Sequence, residues 1–376
     1  MDTRQMSYFI ALAETLHFGQ AAARVNMSQP PFSRQIAALE RDLGARLVSA
    51  NAYLGADALL PALRAAVSAK MAAVYGAQYD PETEITITAG ATQAVYTAIT
   101  ALAGPGDEVI IFEPAFDSYL PGIRLAGATP VFIRLQAPHF LPDWDAVARA
   151  ITPRTRLIIT NTPHNPTGAA WSLDDQRRLA ALCDGRDILV ISDEVYEHIT
   201  FDGREHASAC RVPELAARTL LVSSFGKTFH VTGWKVGFVC APPSLTAEFR
   251  RVHQFNVFAV NTPCQLGLAD YMSEASRYLD LGAFYQQKRD DFRARMAGSR
   301  FELLDCAGTY FQLARYDAIS DEPDAVFVRR LMREAGVATI PVSAFHHDGF
   351  DAKLIRFCFA KSEALIAQAC ERLCAY

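Results

Sequence analysis

The sequence lacks the features that mark several classes of protein. Its eight cysteines include no Cys-x-x-Cys pair and no zinc-like His/Cys spacing, so we expect neither a disulfide framework nor a metal site. No apolar run is long enough to cross a bilayer, and residues 1–5 lack the basic start of a signal peptide. The formal net charge of −5 excludes a surface that is basic throughout. We therefore predict a cytoplasmic protein with no membrane association.

Short apolar runs alternate with helix-like segments from residue 84 onward. With 51% hydrophobic and 20% charged residues, the chain has the composition of a core-forming globular protein. Each run ends in a cluster of Gly, Pro, Asn, Asp or Ser, which predicts an α/β fold with a mostly parallel sheet flanked by helices. Ligands of such sheets bind outside the carboxyl ends of the strands. The predicted strands are 84–88, 108–112, 130–135, 156–160, 188–192, 220–223 and 236–240.

Three regions of the chain differ in their patterns. Residues 1–48 carry apolar residues at helical spacing in three short segments, which predicts a small all-α segment. Residues 49–270 hold the predicted sheet and form the large domain. Residues 271–376 begin with a helix-rich stretch and add strands at 309–314 and 354–359, which predicts a smaller α/β domain.

Lys227 stands just after the predicted strand 220–223, among small polar residues. A lysine forms an imine with an aldehyde cofactor only after its ammonium loses a proton, and a partly desolvated site near a second cation favours that loss. Lys235, eight residues later, can supply the second cation. A solvated lysine at a strand end is the competing interpretation, and the residues at the other strand ends decide between the two.

Polar residues at two further strand ends suit a flat, phosphorylated ring. Ala91 and Thr92 open a helix after the first strand, and the free N–H groups of a helix N-terminus bind phosphate. Ser224 and Lys235 can add a hydroxyl and a cation to the same phosphate. Asp193 ends the fifth strand, where a buried carboxylate needs a partner such as the ring nitrogen of a pyridine cofactor.

Three more side chains complete this set. Asn165 lies in a loop with two prolines and a glycine that can aim its amide at a phenolate oxygen. Phe116 follows the second strand and can stack on a flat ring. Arg356 is a charge inside an apolar strand, and its guanidinium matches a carboxylate. Plain packing of Phe116 and an internal ion pair of Arg356 are the alternative interpretations.

With these residues, the chain from about residue 51 to 376 closely resembles the fold-type I, class I/II aminotransferases that depend on pyridoxal 5'-phosphate (PLP). It is most similar to the methionine/kynurenine/glutamine aminotransferase branch. The segments that carry the resemblance are 161–168, 192–198, 223–237 and 354–361. The resemblance implies that Lys227 forms the Schiff base, that Asp193 pairs the pyridine nitrogen and that Arg356 binds the substrate carboxylate. It also implies cofactor contacts from Tyr196 and Asn165 at the ring oxygen, from Ala91, Thr92, Ser224 and Lys235 at the phosphate, and from Phe116 at the ring.

The resemblance further implies a reaction and an assembly. An amino group would move from an L-amino acid with a methionine-like, aromatic or glutamine-like side chain to a 2-oxo acid, in ping-pong order, with the freed Lys227 moving the proton. Tyr53 matches the tyrosine that reaches the phosphate of a partner subunit in this family. The resemblance therefore implies a homodimer with shared active sites.

Residues 1–48 resemble a different family, the LysR-type transcriptional regulators, in their helix-turn-helix. The resemblance implies that Gln29, Ser33 and Arg34 face a DNA major groove. The wing of that family is missing, and acidic residues of the segment nearly cancel its arginines, which weakens phosphate binding. The segment also stands where aminotransferases carry an N-terminal arm. We therefore expect cofactor binding to survive this replacement better than turnover.

Two other functions use the same residues. A DNA-binding transcriptional regulator with an aminotransferase-like sensor domain would use both parts of the chain. A PLP-dependent carbon–sulfur lyase would use the same fold and the same lysine, and it would release pyruvate, ammonia and a thiol.

Overall fold

The computed structural model describes residues 3–15, 18–43 and 61–376. The chain divides into two compact units, Met1–Leu60 and Pro61–Tyr376. The predicted boundary at residue 48 lies outside the described residues, and the boundary predicted at residue 270 stays a prediction. Within the described ranges, no helix is both long and apolar enough to cross a membrane.

Three helices make up the described part of the first unit, at the places where the apolar spacing predicts them. Ile10 belongs to the periodic pattern of the first helix but is 48% exposed, because the buried face is shifted by one residue to Ala11 and Leu12. The helices are α1 (Thr3–Thr15), α2 (Phe18–Arg24) and α3 (Gln29–Leu43). Their shared core consists of Ala11, Leu12, Ala21, Ala22, Phe32 and Ile36.

A seven-stranded sheet lies at the centre of the second unit. Its strands are β1 (Ile85–Thr88), β2 (Glu108–Glu113), β3 (Thr129–Arg134), β4 (Thr155–Asn161), β5 (Leu189–Asp193), β6 (Thr219–Ser224) and β7 (Gly237–Cys240). Their spatial order is β1-β7-β6-β5-β4-β2-β3. All neighbours from β6 to β3 are parallel, and β7 runs antiparallel between β1 and β6. The predicted mostly parallel sheet is therefore confirmed, and the bounds of each strand fall within one residue of the prediction.

A smaller antiparallel sheet follows later in the chain. Its strands are β8 (Glu302–Leu303), β9 (Phe311–Arg315), β10 (Ile340–Pro341) and β11 (Leu354–Cys358), in the order β10-β11-β9-β8. The two longer strands, β9 and β11, are the predicted ones. The other two are two residues long, which is too short for an apolar pattern to reveal.

Helices cover both faces of the large sheet and flank the small one. Local signals fix several of them: Ser172 and Asp175 form a reciprocal capping box, and Asp143 accepts hydrogen bonds from two backbone N–H groups of the following turn. The helices of this unit are α4 (Pro61–Tyr75), α5 (Ala91–Leu102), α6 (Tyr119–Leu125), α7 (Trp144–Ala150), α8 (Leu173–Cys183), α9 (Pro213–Ala216), α10 (Phe225–Thr228), α11 (Pro243–Asn256), α12 (Thr262–Tyr271), α13 (Ser276–Leu279), α14 (Leu281–Met296), α15 (Asp324–Glu334) and α16 (Glu363–Ala375).

Two apolar layers hold the large sheet between these helices. On one face, α5, α6 and α11 pack through residues such as Ala98, Ile123 and Phe249. On the other face, α7 and α8 pack through Val147 and Leu179. Because both faces are covered, side chains can meet a ligand only where the strands end.

Candidate active site

A cavity of about 430 Å³ opens at the carboxyl ends of the central strands. Arg356 enters it from β11 of the smaller sheet, so the cavity is lined by both sheets. Every predicted residue of the cofactor and substrate site within 61–376 lines this cavity: Ala91, Thr92, Phe116, Asn165, Asp193, Tyr196, Ser224, Lys227, Lys235 and Arg356. Tyr53 lies outside the described residues.

Asp193 is the last residue of β5 and is 5% exposed. Its Oδ2 accepts a hydrogen bond of 2.6 Å from the hydroxyl of Tyr119, and its Oδ1 accepts one of 3.3 Å from the backbone N–H of Val195. Burial raises the pKa of Asp193 to about 6, against the opposing effect of these hydrogen bonds. The carboxylate is thus oriented by neutral donors and lacks a direct cationic partner among the described residues.

Glu197 lies four residues after Asp193 and has the opposite environment. The ammonium of Lys70 lies 2.6 Å from its Oε1, and the hydroxyls of Ser223 and Tyr75 each donate to it at 2.6 Å. Burial alone would raise the pKa of Glu197, but the charge of Lys70 and the hydrogen bonds from Lys70 and Ser223 together outweigh it and hold the pKa far below its usual range. This pair fastens α4 to the segment that follows β5.

The loop after β4 positions two amides and, through them, Arg356. Asn161 donates from Nδ2 to the backbone oxygen of Asp193 at 2.9 Å, and its Oδ1 accepts from the backbone N–H of Asn165 at 2.8 Å. Arg356 donates to Oδ1 of Asn165 at 2.6 Å. Asn165 therefore lies between Asn161, at the end of β4, and the guanidinium of Arg356.

Arg356 lies between two aromatic rings. Its guanidinium carbon is 4.0 Å from the ring centre of Phe311 and 4.9 Å from that of Phe345. Burial lowers its pKa from the ordinary value. No carboxylate of the described chain forms an ion pair with it, so the internal ion pair that the sequence left open is absent there. The guanidinium can accept an anionic ligand.

Lys227 lies in the short helix α10, directly after β6. Its Nζ is 6.0 Å from the ring centre of Tyr196 and 5.9 Å from that of Tyr310, so the amine faces two phenol rings across the cavity. Burial, together with Tyr310, raises the pKa of Tyr196 well above its usual value. The Tyr196 phenol therefore stays protonated and can donate a hydrogen bond.

The N-terminus of α5 forms the polar end of the cavity. Its capping position is Gly90, which has no side chain to satisfy the first N–H groups of the helix. A Cβ built on Gly90 would lie 3.6 Å from Nζ of Lys235, which places this cation at the same helix end. A Cβ on Gly237 would come within 2.6 Å of the Ser223 oxygen and 3.1 Å of the Ala91 nitrogen, so only glycine fits there.

Sequence reasoning missed Tyr119, although it donates to Asp193. Tyr119 begins α6, two residues after Asp117 in the polar cluster that follows β2, and that cluster was the available signal. The Lys70–Glu197 pair was also missed, because its members lie 127 positions apart in the sequence and share no motif.

The predicted DNA-facing residues lie on α3 in the first unit. Gln29 and Arg34 are exposed, and Ser33 is partly buried. Helix position and exposure fit a surface role, but they do not select DNA as the ligand, so this role stays a prediction.

Comparison with known proteins identifies the family of this chain. Residues 22–373 match the family described as aminotransferase class I and II. The chain belongs to this family. It is 51% identical over 313 residues to a methionine aminotransferase of Escherichia coli K12, with 83% of this chain and 81% of the relative covered. It is 36% identical over 335 residues to kynurenine–oxoglutarate transaminase 1 of Mus musculus, with 80% and 79% covered.

A solved aminotransferase structure supports the same assignment. The crystal structure of the Escherichia coli methionine aminotransferase YbdL superposes with a TM-score of 0.84 at 46% identity, covering 92% of this chain and 90% of that one. The family match begins at residue 22, inside the segment that resembles a LysR-type helix-turn-helix. The regulator alternative gains no support from these relatives.

This aminotransferase is PLP-dependent, as its family is, and the residues of the cavity fit that cofactor. The uncapped N-terminus of α5 with Lys235 suits a phosphate. The buried Asp193, which lacks a cation, suits a protonated pyridine nitrogen. Lys227 is the amine that can bind an aldehyde. The fold, the donor set and the relatives therefore agree.

Proposed function

We propose that this aminotransferase takes an L-amino acid with an apolar, thioether or aromatic side chain as its amino donor and a 2-oxo acid as its acceptor. The observation that carries the proposal is the convergence of Lys227, Asp193 and Arg356 on one cavity. The apolar side chains of Ile340 and Phe345 form part of the same lining and suit an apolar substrate. The similarity to methionine and kynurenine aminotransferases supports the same substrate range.

Each residue has a proposed task in holding PLP. Lys227 would bind it covalently through Nζ, and Asp193 would keep its ring nitrogen protonated. Tyr196 and Asn165 would donate hydrogen bonds to the ring oxygen. Ala91, Thr92, Ser224 and Lys235 would hold the phosphate, and Phe116 would stack on the ring. When bound, PLP withdraws electrons from the α carbon of the substrate and carries the amino group between the two substrates.

The remaining chemistry belongs to the side chains. Arg356 would bind the substrate carboxylate and so fix the α carbon relative to Lys227. The amine of Lys227 would act as general base and then general acid, taking the proton from the α carbon of the substrate and delivering it to the aldehyde carbon of the cofactor. The first 2-oxo acid leaves before the second binds, which gives ping-pong kinetics.

Absorption spectroscopy of the full-length protein tests this proposal. We expect PLP to give a visible absorption band, and L-methionine alone, without a 2-oxo acid, to convert that band to the absorption of the aminated cofactor. A band that no amino acid discharges would contradict transamination by this chain. Release of pyruvate, ammonia and a thiol from an S-substituted cysteine would instead establish the lyase alternative.

Lys227→Ala provides the matched variant for this measurement. We expect this variant to retain no cofactor covalently after borohydride reduction, because it lacks the amine that forms the covalent bond. Its kcat/KM should fall by at least about 10⁴-fold, because it also lacks the proton carrier. Lys361→Ala, which changes an exposed lysine, should behave as the parent protein does.

We also propose that the aminotransferase is a homodimer, as the Tyr53 motif implies. Large apolar side chains are exposed along residues 234–284 of the second unit, a pattern typical of surfaces that bind another protein. The exposed residues are Trp234, Phe255, Phe258, Leu266, Tyr271, Leu279 and Phe284. Light scattering should give twice the chain mass, and Phe255→Asp should lower it to the monomer. The cytoplasmic location stays a prediction from the cysteine pattern.

A further inference from the structure

A cluster of carboxylate and imidazole side chains lies behind the wall of the cofactor cavity. Glu113 is the last residue of β2 and is 2% exposed. His346 and Asp348 follow the short 3-10 turn Val342–Phe345, which comes after β10 of the smaller sheet. One potential ligand atom from each of the three residues lies within 4.8 Å of the other two. The cluster thus joins the large sheet to a segment of the smaller one.

The imidazole of His346 is the unusual member of the cluster. Its Nδ1 is buried and has no hydrogen-bond partner, and its side chain is only 3% exposed. This nitrogen lies 3.7 Å from Oε2 of Glu113, which is too far for a hydrogen bond. Two ligands of a tetrahedral zinc ion, at ~2.0–2.1 Å from the metal, lie about 3.4 Å from each other. The observed separation is close to what one shared ion requires.

Glu113 is oriented by a neighbour in the manner of a metal ligand. His347 donates to its Oε1 from the backbone at 2.6 Å and to its Oε2 from ring Nδ1 at 2.9 Å. The ring of His347 is itself held by stacking on Phe132 at 3.7 Å. Outer partners of this kind orient ligating carboxylates.

Asp348 is the exposed member, and it also contacts Arg134. Nη2 of Arg134 lies 2.6 Å from its Oδ2, and the backbone N–H of Phe350 donates to its Oδ1 at 3.1 Å. Each carboxylate oxygen has two lone pairs, so both contacts leave room for a metal bond. With neutral imidazoles, Glu113, Asp348 and Arg134 sum to one negative charge. A divalent cation would therefore meet a net attraction despite the nearby guanidinium.

We propose that Glu113, His346 and Asp348 bind one divalent cation of the zinc class. The mixed nitrogen and oxygen donors favour such an ion over Mg²⁺ or Ca²⁺, which prefer oxygen alone. The backbone N–H of Ala115 donates to the oxygen of Phe345 at 2.8 Å beside the cluster, and Phe116 and Phe345 both line the cofactor cavity. The ion stabilises the wall of the cavity by linking these two segments, and it does not contact the reacting atoms. The absence of a zinc-like spacing in the sequence is no obstacle, because Glu113 is more than 230 positions from His346.

Zinc binding by the full-length, PLP-loaded protein tests the proposal. Exposed thiols such as Cys358 and Cys374 are first blocked with iodoacetamide, because they also bind zinc. The protein is then freed of metal with a chelator, dialysed against Zn²⁺ and analysed for metal content. We expect about one zinc ion per chain, and a thermal unfolding midpoint that rises with Zn²⁺ concentration. Absence of both effects in the parent protein overturns the proposal.

Variants of the three proposed ligands test whether the zinc ion binds at this cluster. His346→Gln and Glu113→Gln should lose the bound zinc and the thermal shift, and Asp348→Asn should weaken zinc affinity at least about 10-fold, the least that loss of an outer partner of a metal ligand costs. Asp348 is exposed, so its variant decides the result if either buried variant fails to fold. His139→Gln is the matched control, because it removes an exposed histidine that pairs with Asp305. Zinc binding by all variants at the parent's affinity overturns the proposal.

Discussion

Asp193 and Glu197 are both buried carboxylates at the end of β5, but they differ in what neutralises them. Glu197 has Lys70 at 2.6 Å and two hydroxyl donors, and its pKa is far below the usual range. Asp193 has only neutral donors, and burial raises its pKa to about 6. A carboxylate that the fold has fully paired serves stability, whereas one left without a cation is available to a cationic ligand.

Of the effects predicted for the two carboxylates, the largest concerns Glu197, the carboxylate with a cationic partner. Lys70→Met should lower the free energy of unfolding by about 3–5 kcal/mol, because it leaves Glu197 buried without a counter-charge. Urea unfolding at neutral pH measures this change. The double variant Lys70→Met with Glu197→Gln should regain most of the loss, and failure to do so would mean that Lys70 stabilises the protein through packing.

For Asp193, the carboxylate without a cationic partner, we predict an effect on activity with no loss of stability. Asp193→Asn should lower kcat/KM by about 10²–10³-fold, which corresponds to ~2.7–4 kcal/mol, the size typical of one electrostatic group aimed at a developing charge. Steady-state assays and urea unfolding of the cofactor-free protein measure the two quantities. Asp305→Asn, which changes an exposed aspartate, is the control. A stable and fully active Asp193→Asn variant would contradict the inference that Asp193 serves activity.

The pH dependence of stability should also differ between Asp193 and Glu197. The folded protein holds the Asp193 proton more tightly than the unfolded chain does, so the contribution of Asp193 to the free energy of unfolding falls as pH rises from about 4 to about 6. Because the pKa of Asp193 is about 6 in the folded protein and about 4 in the unfolded chain, the loss of unfolding free energy reaches at most about 3 kcal/mol. It does not increase further above about pH 6. Cofactor-free Asp193→Asn should lack this slope in urea unfolding between pH 4.5 and 8. Identical slopes in the two proteins would contradict the raised pKa.

Glu197 should show the reverse dependence at lower pH. Its pKa is depressed in the folded state, so its contribution is present above the unfolded pKa near ~4.3 and is lost only as the pH falls below that value. Between pH 4.5 and 8 the difference in slope between the parent and Asp193→Asn therefore reports Asp193 and not Glu197, because the buried histidines with lowered pKa values contribute equally to both proteins.

The smallest predicted effect concerns the donor that orients Asp193. Tyr119→Phe should lower kcat/KM by about tenfold, since a hydrogen bond to a charged group contributes ~1.5–3 kcal/mol at most. It should also shift the acid limb of the pH–rate profile upward, because Asp193 loses a hydrogen bond that favours its ionised form. Tyr316→Phe, in the core beside the smaller sheet, should leave that limb unchanged. An unshifted limb in Tyr119→Phe would mean that the hydroxyl does not tune the carboxylate.

The comparison also shows how far the sequence predicts the site. Asp193, Lys227 and Asn165 were predictable because each follows an apolar strand, and the ends of parallel strands meet at one edge of a sheet. Partners from distant segments were not predictable. Lys70 reaches Glu197 from a helix 127 positions earlier, and Glu113 reaches His346 across two sheets. Only the packing of the chain brings such groups together.

The same distinction applies to the first unit. Helical spacing predicted α1, α2 and α3 correctly, but it placed Ile10 among the inward residues, and the structure exposes it. Spacing alone leaves the rotation of a short helix uncertain by about one residue, which corresponds to about 100°. The helical pattern does not predict which ligand binds the surface that carries Gln29, Ser33 and Arg34. Exposure does not distinguish a DNA-binding helix from a solvated one.

The hydrogen bond between Arg356 and Asn165 determines which form of a ligand the cavity accepts. A guanidinium can only donate, so the side-chain oxygen of Asn165 must face it, and the amide cannot flip. The N–H₂ group of Asn165 then points away from the guanidinium and is available to a ligand. Tyr196, held in its protonated form, likewise offers a hydrogen to the same region. The cavity therefore discriminates between protonation states: it favours an oxygen that has already lost its proton over one that still carries it.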